Sequence, residues 1–349
     1  MSALELATAL GHEEVVLVRD EEAGLHAVIA IHDTTLGPAA GGTRMQPYAN
    51  LEAAMVDALR LSRAMTAKAV MADVGRGGGK AVILGDPRRD KSRALLQAYA
   101  RAVERLDGRF HTGPDVGIDG RDVAVLARHT KHVSHTAEGA KVTVADLTAI
   151  GVLEAVRTVA RRLGSELHGL RVAVQGLGQV GLRLARLLAD EGARLTVTDV
   201  DEGRADRAAS ELGAEQVAPQ AIYDVSAEVF SPNALGGVLN DATLPRLRVR
   251  AICGAANEQL EEPRHGDRLH EAGILYAPDY VVNAGGLLSL LFELGEIDEE
   301  GIVRRVKGIG VRVDDLFARA EQEAAPPFRV ADRVVEERLA EARARRRAR

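Results

Sequence analysis

The sequence predicts an α/β fold in two domains, the second built on a parallel sheet. Three observations carry this prediction. The chain has 349 residues, enough for two domains at roughly 100 to 200 residues each. In its second half, short apolar segments alternate with helix-sized ones, as βαβ crossovers require. A glycine-rich turn stands between one of those strands and the helix that follows it. Hydrophobic residues make up 46% and charged residues 28%, and no apolar run approaches the ~18 residues of a membrane helix, so no membrane partner is expected. The net charge of −6 argues against nucleic acid, which needs clustered Lys and Arg. Met1 to Gly11 lacks the basic start, long apolar core and cleavage site of a secretory signal, so the chain is expected in the cytoplasm. The one cysteine, Cys253, has no partner for an internal disulfide, in keeping with a reducing compartment.

In chain order, Leu25 to Ile31 (LHAVIAI) reads as a buried strand ending near the Gly37-Pro38 turn. From Leu51 to Met65, residues Leu51, Met55, Ala58, Leu59 and Met65 among others follow helical spacing. Ala81 to Leu84 is a short strand stopped by Gly85-Asp86-Pro87, and Arg93 to Leu106 a helix. The pattern weakens around Ala137 to Val144 before a helix from Asp146 to Leu163. This places an N-terminal α/β domain over 1–140 and the parallel-sheet domain over 141–327. The strands of the latter are Arg171 to Gln175, Arg194 to Thr198, Glu228 to Ser231 and Arg250 to Gly254. Pro326-Pro327 interrupts the last helical region, and a final helix, 328–349, is expected to pack back onto the first domain. Its last nine residues hold five arginines, read as a solvated helix end that complements the helix dipole.

The turn is GLGQVG. Gly176, Gly178 and Gly181 form G-x-G-x-x-G directly after the strand and before a helix over Val180 to Ala189. The first glycine permits a tight turn, the second lets backbone approach a pyrophosphate, and the third allows close packing of helix on strand. Together with Leu177, Gln179 and Val180 they form a Rossmann phosphate-binding loop. Asp199 follows the next strand, 18 residues after Gly181, where a carboxylate accepts hydrogen bonds from the ribose hydroxyls and repels a 2′-phosphate. The expected cofactor is therefore NAD rather than NADP, with Arg204 close enough in sequence to soften the preference.

Lys68 and Lys80 flank KAVMADVGRGGGK, whose last six residues contain four glycines. Glycines there would let backbone approach a ligand, and a desolvated lysine can work near neutral pH. The segment is no P-loop, since Val74 stands at its first glycine and Ala81 at its Ser/Thr. Asp115 in HTGPDVG lies in a turn where Gly113, Pro114 and Gly117 would hold a carboxylate at a fixed exposed position, and paired with Lys80 it could move protons.

These segments, with GPAAGGTRM (Gly37 to Met45), MTAKAV (Met65 to Val70), GAANEQL (Gly254 to Leu260) and YAPDYVVNAGG (Tyr276 to Gly286), occur in an order that resembles the Glu/Leu/Phe/Val amino acid dehydrogenases, over about Leu25 to Glu341. The pattern is nearest the leucine, phenylalanine and valine enzymes. The resemblance implies a substrate domain and a Rossmann NAD-binding domain separated by a cleft. It implies oxidative deamination of an apolar L-amino acid to the 2-oxo acid, ammonium and NADH, by a homo-oligomer. By that similarity Lys68, with backbone near Gly41, would hold the substrate carboxylate. Lys80 would be the general base and Asp115 the proton shuttle. Asn283 would orient the substrate, and Thr148 and Asn257 would lie beside nicotinamide and ribose.

Glutamate enzymes of this type carry a lysine where Ala40 stands here, so an acidic substrate is not expected. The pocket positions map onto Ala40, Gly113, Leu287 and Leu290, an apolar set. Gly113 with Leu287 leans toward an aromatic substrate, the missing methyl leaving room for a ring. Ser289, Ala67, Arg76 and the loop Ala137 to Leu147 depart from the relatives' pattern, Arg76 adding a cation by the glycines. His129, His132 and His135 are read as solvated residues rather than metal ligands, as are His265 and His270, and no metal is expected. The rival readings are a 2-hydroxy acid dehydrogenase, whose chemistry usually relies on a His with a carboxylate partner, and a catalytically impaired NAD-binding protein.

Overall fold

The computed structural model describes residues 2–134 and 141–348. The chain divides into two compact units, one of Met1–Glu138 with Val335–Arg349 and one of Gly139–Val334. His135 and the stretch 135–140 lie outside the described residues.

The first unit opens with α1 (Ala3–Leu10), started by a capping box in which the Ser2 side chain accepts from Glu5 N and Glu5 accepts from Ser2 N. Its sheet contains β1 (Glu14–Asp20), β2 (Leu25–Asp33), β3 (Ala39–Ala40), β4 (Thr43–Gln46), β5 (Gly77–Leu84) and β6 (Phe110–His111). The order is β1-β2-β5-β3-β6, with β4 also on β5. β1, β2 and β5 are antiparallel neighbours, whereas β3 and β4 run parallel to β5 in one continuous register, Ala39 opposite Gly77 and Thr43 opposite Ala81. Helix α2 (Leu51–Ala72) covers one face, and α3 (Arg93–Glu104) and α4 (Gly120–Leu126) the other. Strand alternation sorts the core accordingly. On β2, Ala27, Ile29 and Ile31 pack with Tyr99 and Phe110, while Val28 and Ala30 pack with Met55, Ala58 and Leu59 of α2.

Two local expectations are corrected here. The helix predicted to stop at Met65 runs to Ala72, ending with Asp73 in the left-handed conformation, so Lys68 sits within the helix, beyond its expected end. The strand predicted from Ala81 begins at Gly77, because the glycine triplet belongs to β5. A Cβ on Gly77 would lie 1.9 Å from Asp33 O, one on Gly78 2.1 Å from Thr66 N, and one on Gly79 2.7 Å from the Phe110 ring. The glycines serve close packing of β5 against its neighbours.

Where the register of β2 on β5 shifts between Ile31 and Asp33, His32 sits at the irregularity. Its Nδ1 meets Thr66 Oγ1 at 2.8 Å and its Nε2 the Leu10 carbonyl at 3.0 Å. His12 lies edge-on to it with ring centroids 4.8 Å apart, Nε2 being 2.8 Å from Ser62 Oγ. Burial first, then the neighbouring His32 and Arg63, pull His12 down to about 4. The unfolded chain therefore binds more protons than the folded one between about pH 6.5 and about 4, and stability falls as pH drops through that window. Denaturant midpoints measured from pH 7 to 4 should decline less steeply in His12→Gln than in the parent protein. Equal slopes would remove His12 as the cause.

The second unit is a doubly wound parallel sheet in the order β12-β11-β10-β7-β8-β9. Its strands are β7 (Arg171–Gln175), β8 (Arg194–Thr198), β9 (Glu215–Gln216), β10 (Val229–Pro232), β11 (Ala251–Ile252) and β12 (Leu275–Tyr276). The helices are α5 (Val144–Arg162), α6 (Gln179–Asp190), α7 (Glu202–Leu212), α8 (Pro263–Glu271), α9 (Asp279–Val282), α10 (Gly285–Glu293), α11 (Glu299–Lys307) and α12 (Ile309–Glu323). The chain runs outward from β7 to β9 and returns to β10 on the other side of β7, so the switch in strand order falls at the β7 carboxyl end, where open α/β sheets bind ligands. Cys253 follows β11 and is fully buried, which raises its thiol pKa. Helix α13 (Pro327–Arg347) belongs to the first unit from Val335 onward. The arginine tail is not simply solvated: Arg343 Nη2 reaches the buried Asp33 at 2.5 Å, and Arg346 donates to Thr34 O at 2.9 Å. No helix among the described residues is long and apolar enough to cross a membrane.

Candidate active site

In the first unit the parallel register fixes which side chains share a face. Gly78, Lys80 and Val82 alternate with Gly79, Ala81 and Ile83 along β5, and the pairings Ala40–Gly78 and Arg44–Val82 set Ala40 and Arg44 on the side of Lys80. This is the side covered by α2, the helix that carries the half-buried Lys68. Lys80 is 6% exposed, and its Nζ donates to Asp115 Oδ2 in a close ion pair. Asp115 Oδ1 accepts from Val116 N at 2.7 Å, and Arg44 Nε stands 3.7 Å from Oδ2. Burial pushes the Asp115 carboxyl up, but Lys80 and then Arg44 outweigh it and hold the pKa below the usual range. Asp115 is thus partly buried and ionised, not held exposed as the turn sequence suggested. The turn exists nonetheless: Ile118 N donates to Asp115 O at 2.9 Å, and Gly117 has φ +79° with a would-be Cβ 2.1 Å from Met45 O.

Sequence reasoning missed the groups that surround this pair. Arg44 is shared by Asp115 and Asp57, the latter also accepting from Tyr48 OH at 2.6 Å. Thr43 Oγ1 lies 2.5 Å from both Tyr99 OH and Thr112 Oγ1 in a buried hydroxyl cluster, where burial pushes Tyr99 up to about 12. The signal available was GGTRM and HTG, where Thr43, Arg44 and Thr112 adjoin positions already chosen.

Gly41 N donates to His111 O at 3.1 Å, which engages that N–H in the sheet, and one assumption about the substrate pocket changes. A Cβ on Gly113 would lie 2.6 Å from Ser134 Oγ. The space that an alanine methyl would take is thus filled by the Ser134 hydroxyl rather than left open for an aromatic ring. Ala40 is buried on β3.

In the second unit, Gly176 directly follows β7 with φ +90°, where a Cβ would lie 2.8 Å from Ala234 Cβ. Gly181 packs α6 on the strand, its would-be Cβ 2.0 Å from Gly176 O. Gly178 has nothing within 4 Å of that position and starts α6 with no side-chain cap. The loop Leu177, Gln179 and Val180 therefore opens an uncapped helix N-terminus to an anion. Asp199, 8% exposed, accepts from Leu177 N at 2.7 Å and Asp201 N at 2.9 Å, which ties the glycine loop to the end of β8. Arg204 is paired with Asp201 at 3.3 Å. These residues fit a dinucleotide.

Asn283, Asn257 and Thr148 belong to the same unit. Asn283 is 3% exposed, and its Nδ2 donates to Ala255 O and Asn257 Oδ1 at 3.1 and 2.9 Å. Its Oδ1 is buried without a hydrogen-bond partner among the described residues. Thr148 on α5 donates to Val144 O at 2.8 Å. Leu287 and Leu290 are buried on α10, where Ser289 Oγ donates to Gly286 O at 2.8 Å.

Of the histidines, His129 and His270 are exposed, as expected. His132 is buried, 5.2 Å from the His111 ring, and His265 is fully buried with Nδ1 accepting from Glu262 N at 3.0 Å. Both were read as solvated, because their spacing gave no sign of packing or of a capping role. Among the described residues no group of three His, Cys, Asp or Glu is placed to hold a metal.

Comparison with known proteins divides the chain at nearly the same point, near residue 138, although the second match runs on into the part of α13 that belongs to the first unit. Residues 12–136 match the family described as Glu/Leu/Phe/Val dehydrogenase, dimerisation domain, and residues 139–205 and 196–346 match Glutamate/Leucine/Phenylalanine/Valine dehydrogenase. Similar sequences include the leucine dehydrogenase of Geobacillus stearothermophilus, 45% identical over 94% of this chain and 90% of that one. The phenylalanine dehydrogenase of Caldalkalibacillus thermarum is 44% identical over 97% and 94%. The crystal structure of L-tryptophan dehydrogenase from Nostoc punctiforme superposes with a TM-score of 0.85 at 42% identity, covering 97% of this chain and 99% of that one.

Proposed function

The chain belongs to the Glu/Leu/Phe/Val dehydrogenase family of amino acid dehydrogenases, and from that premise we propose that it oxidatively deaminates an apolar L-amino acid to the 2-oxo acid and ammonium with NAD. The observation that carries the reading is the buried Lys80–Asp115 pair. A lysine held dry against a shared carboxylate is placed to exchange protons with a bound substrate, and Arg44 beyond it keeps Asp115 ionised to receive them. In this mechanism Lys80 activates water and polarises the developing carbonyl, and Asp115 moves protons to and from the amino group. Lys68 neutralises the substrate carboxylate. The unpartnered Asn283 Oδ1 accepts from the substrate ammonium. NAD when bound supplies the hydride acceptor, held by Gly176 to Gly181 and Asp199 with Thr148 and Asn257 beside it. Ala40 offers no cation to an acidic side chain, and Leu287 and Leu290 supply apolar surface.

The first unit then serves as substrate-binding and oligomerisation domain, in line with the dimerisation-domain match over 12–136, and a homo-oligomer is expected. A panel of L-amino acids and 2-hydroxy acids supplied with NAD, followed as NADH formation, tests the reading. Turnover should appear with apolar amino acids and not with glutamate. Turnover on hydroxy acids, or on neither class despite dinucleotide binding, would overturn it.

Cofactor choice is tested at Asp199. Its carboxylate disfavours a 2′-phosphate, and Arg204, already paired with Asp201, does little to offset it. The kcat/KM ratio for NAD over NADP should exceed about tenfold, equivalent to ~1.4 kcal/mol, and Asp199→Asn should narrow it. A parent enzyme indifferent to the two cofactors would contradict the assignment.

A further inference from the structure

A cavity of about 300 Å³ in the first unit is lined by the starts of α3 and α4 and the residues after α4. Lys91, Arg93, Arg121 and Arg128 line it. Most of the acids nearby are already engaged. Asp122 accepts from Lys91 Nζ at 2.6 Å, and Asp119 accepts from the backbone of Arg121 and Asp122 to start α4. The guanidinium groups of Arg93, Arg121 and Arg128 make no ion pair among the described residues. Elsewhere on this acidic chain arginines pair closely, as Arg171 with Glu228 or Arg264 with Asp241.

Beside the Lys91–Asp122 pair, three guanidiniums that have no ion pair among the described residues face one concavity, and an anion bound there relieves their mutual repulsion. Guanidinium forks match the geometry of phosphoryl oxygens, and Leu96 and Val125 give the cavity an apolar wall. Lys91 also donates to Gly117 O at 3.0 Å, two residues from Asp115. A phosphoryl oxygen that competes for this ammonium acts on the loop that carries the Asp115 carboxylate. We propose that the Lys91–Arg93–Arg121–Arg128 cavity is an effector site for a small phosphoryl-bearing molecule.

Titration calorimetry of the full chain with inorganic phosphate and with pyrophosphate, against chloride at equal ionic strength, tests the site. The parent protein should bind saturably, and a triple variant Arg93→Gln, Arg121→Gln, Arg128→Gln, checked by circular dichroism, should bind at least about tenfold more weakly. No saturable binding overturns the proposal. Binding retained in the triple variant does the same, since it then belongs to the Gly176 loop. So does a triple variant of altered subunit number with unchanged phosphate affinity, because the arginines are then a subunit contact. The second arm rests on the dehydrogenase reading, which the binding arm does not. Phosphate should change the deamination rate of the parent and not of the triple variant, and binding without that difference overturns the effector role.

Discussion

Replacing Lys80 by methionine should lower kcat for amino acid deamination by at least about 10³-fold, within the range that a positioned acid or base supplies, while dinucleotide affinity stays within about twofold. The second half of the expectation follows from placement. Lys80 lies on β5 of the first unit, whereas Gly176, Gly178, Gly181 and Asp199 all belong to the second. Methionine keeps most of the apolar stem of lysine, so little volume is lost from a side chain that is 6% exposed. Removing one partner of a buried ion pair commonly costs ~3–5 kcal/mol. Here Arg44 remains 3.7 Å from Asp115, so the carboxylate is not left alone and the variant should fold. Steady-state kinetics, fluorescence titration of the dinucleotide and a thermal melt separate the outcomes. Activity retained within tenfold would sink the assigned role of Lys80. Lost activity with a collapsed melting transition would point to folding instead.

The second unit was the more legible in the sequence. RVAVQ and RLTVT were read with their observed bounds, because a buried parallel strand is a continuous apolar run and the glycine motif fixes where it ends. The first unit hid more. Lys68 and Lys80 were read only as flanking a glycine-rich segment, and the structure puts one on α2 and the other on β5. A triplet of glycines reads as a breaker, and only the tertiary neighbours Asp33, Thr66 and Phe110 explain why a strand contains it. Arg44 was missed for a related reason. Its place beside Asp115 depends on the Arg44–Val82 register, which no local pattern encodes. The same holds for Ser134, whose hydroxyl meets the position of a Gly113 side chain across 21 residues of chain.

Glycines with different neighbours should respond differently to one added methyl. In Gly41→Ala the new Cβ would lie 1.8 Å from Gly79 O and 2.8 Å from Gly79 C. Both contacts are backbone of the strand that holds Lys80, so no rotamer relieves them, and β3 with β4 must part from β5. The cost should reach on the order of 3 kcal/mol or more, at the upper end for overpacking. It should appear as a lower-temperature transition of the first unit, accompanied by loss of deamination. Gly178→Ala meets nothing within 4 Å, so its melt should match the parent while dinucleotide affinity falls, the methyl standing where pyrophosphate approaches the start of α6. Gly120→Ala also meets nothing within 4 Å and lies at the first position of α4, where alanine should leave stability unchanged or raise it by up to ~1 kcal/mol. Calorimetric melts with and without dinucleotide distinguish the three. A Gly41→Ala protein as stable as Gly120→Ala would mean that β3 and β5 do not approach as closely as their register requires. Ordinary dinucleotide binding in Gly178→Ala would move the cofactor away from the glycine turn.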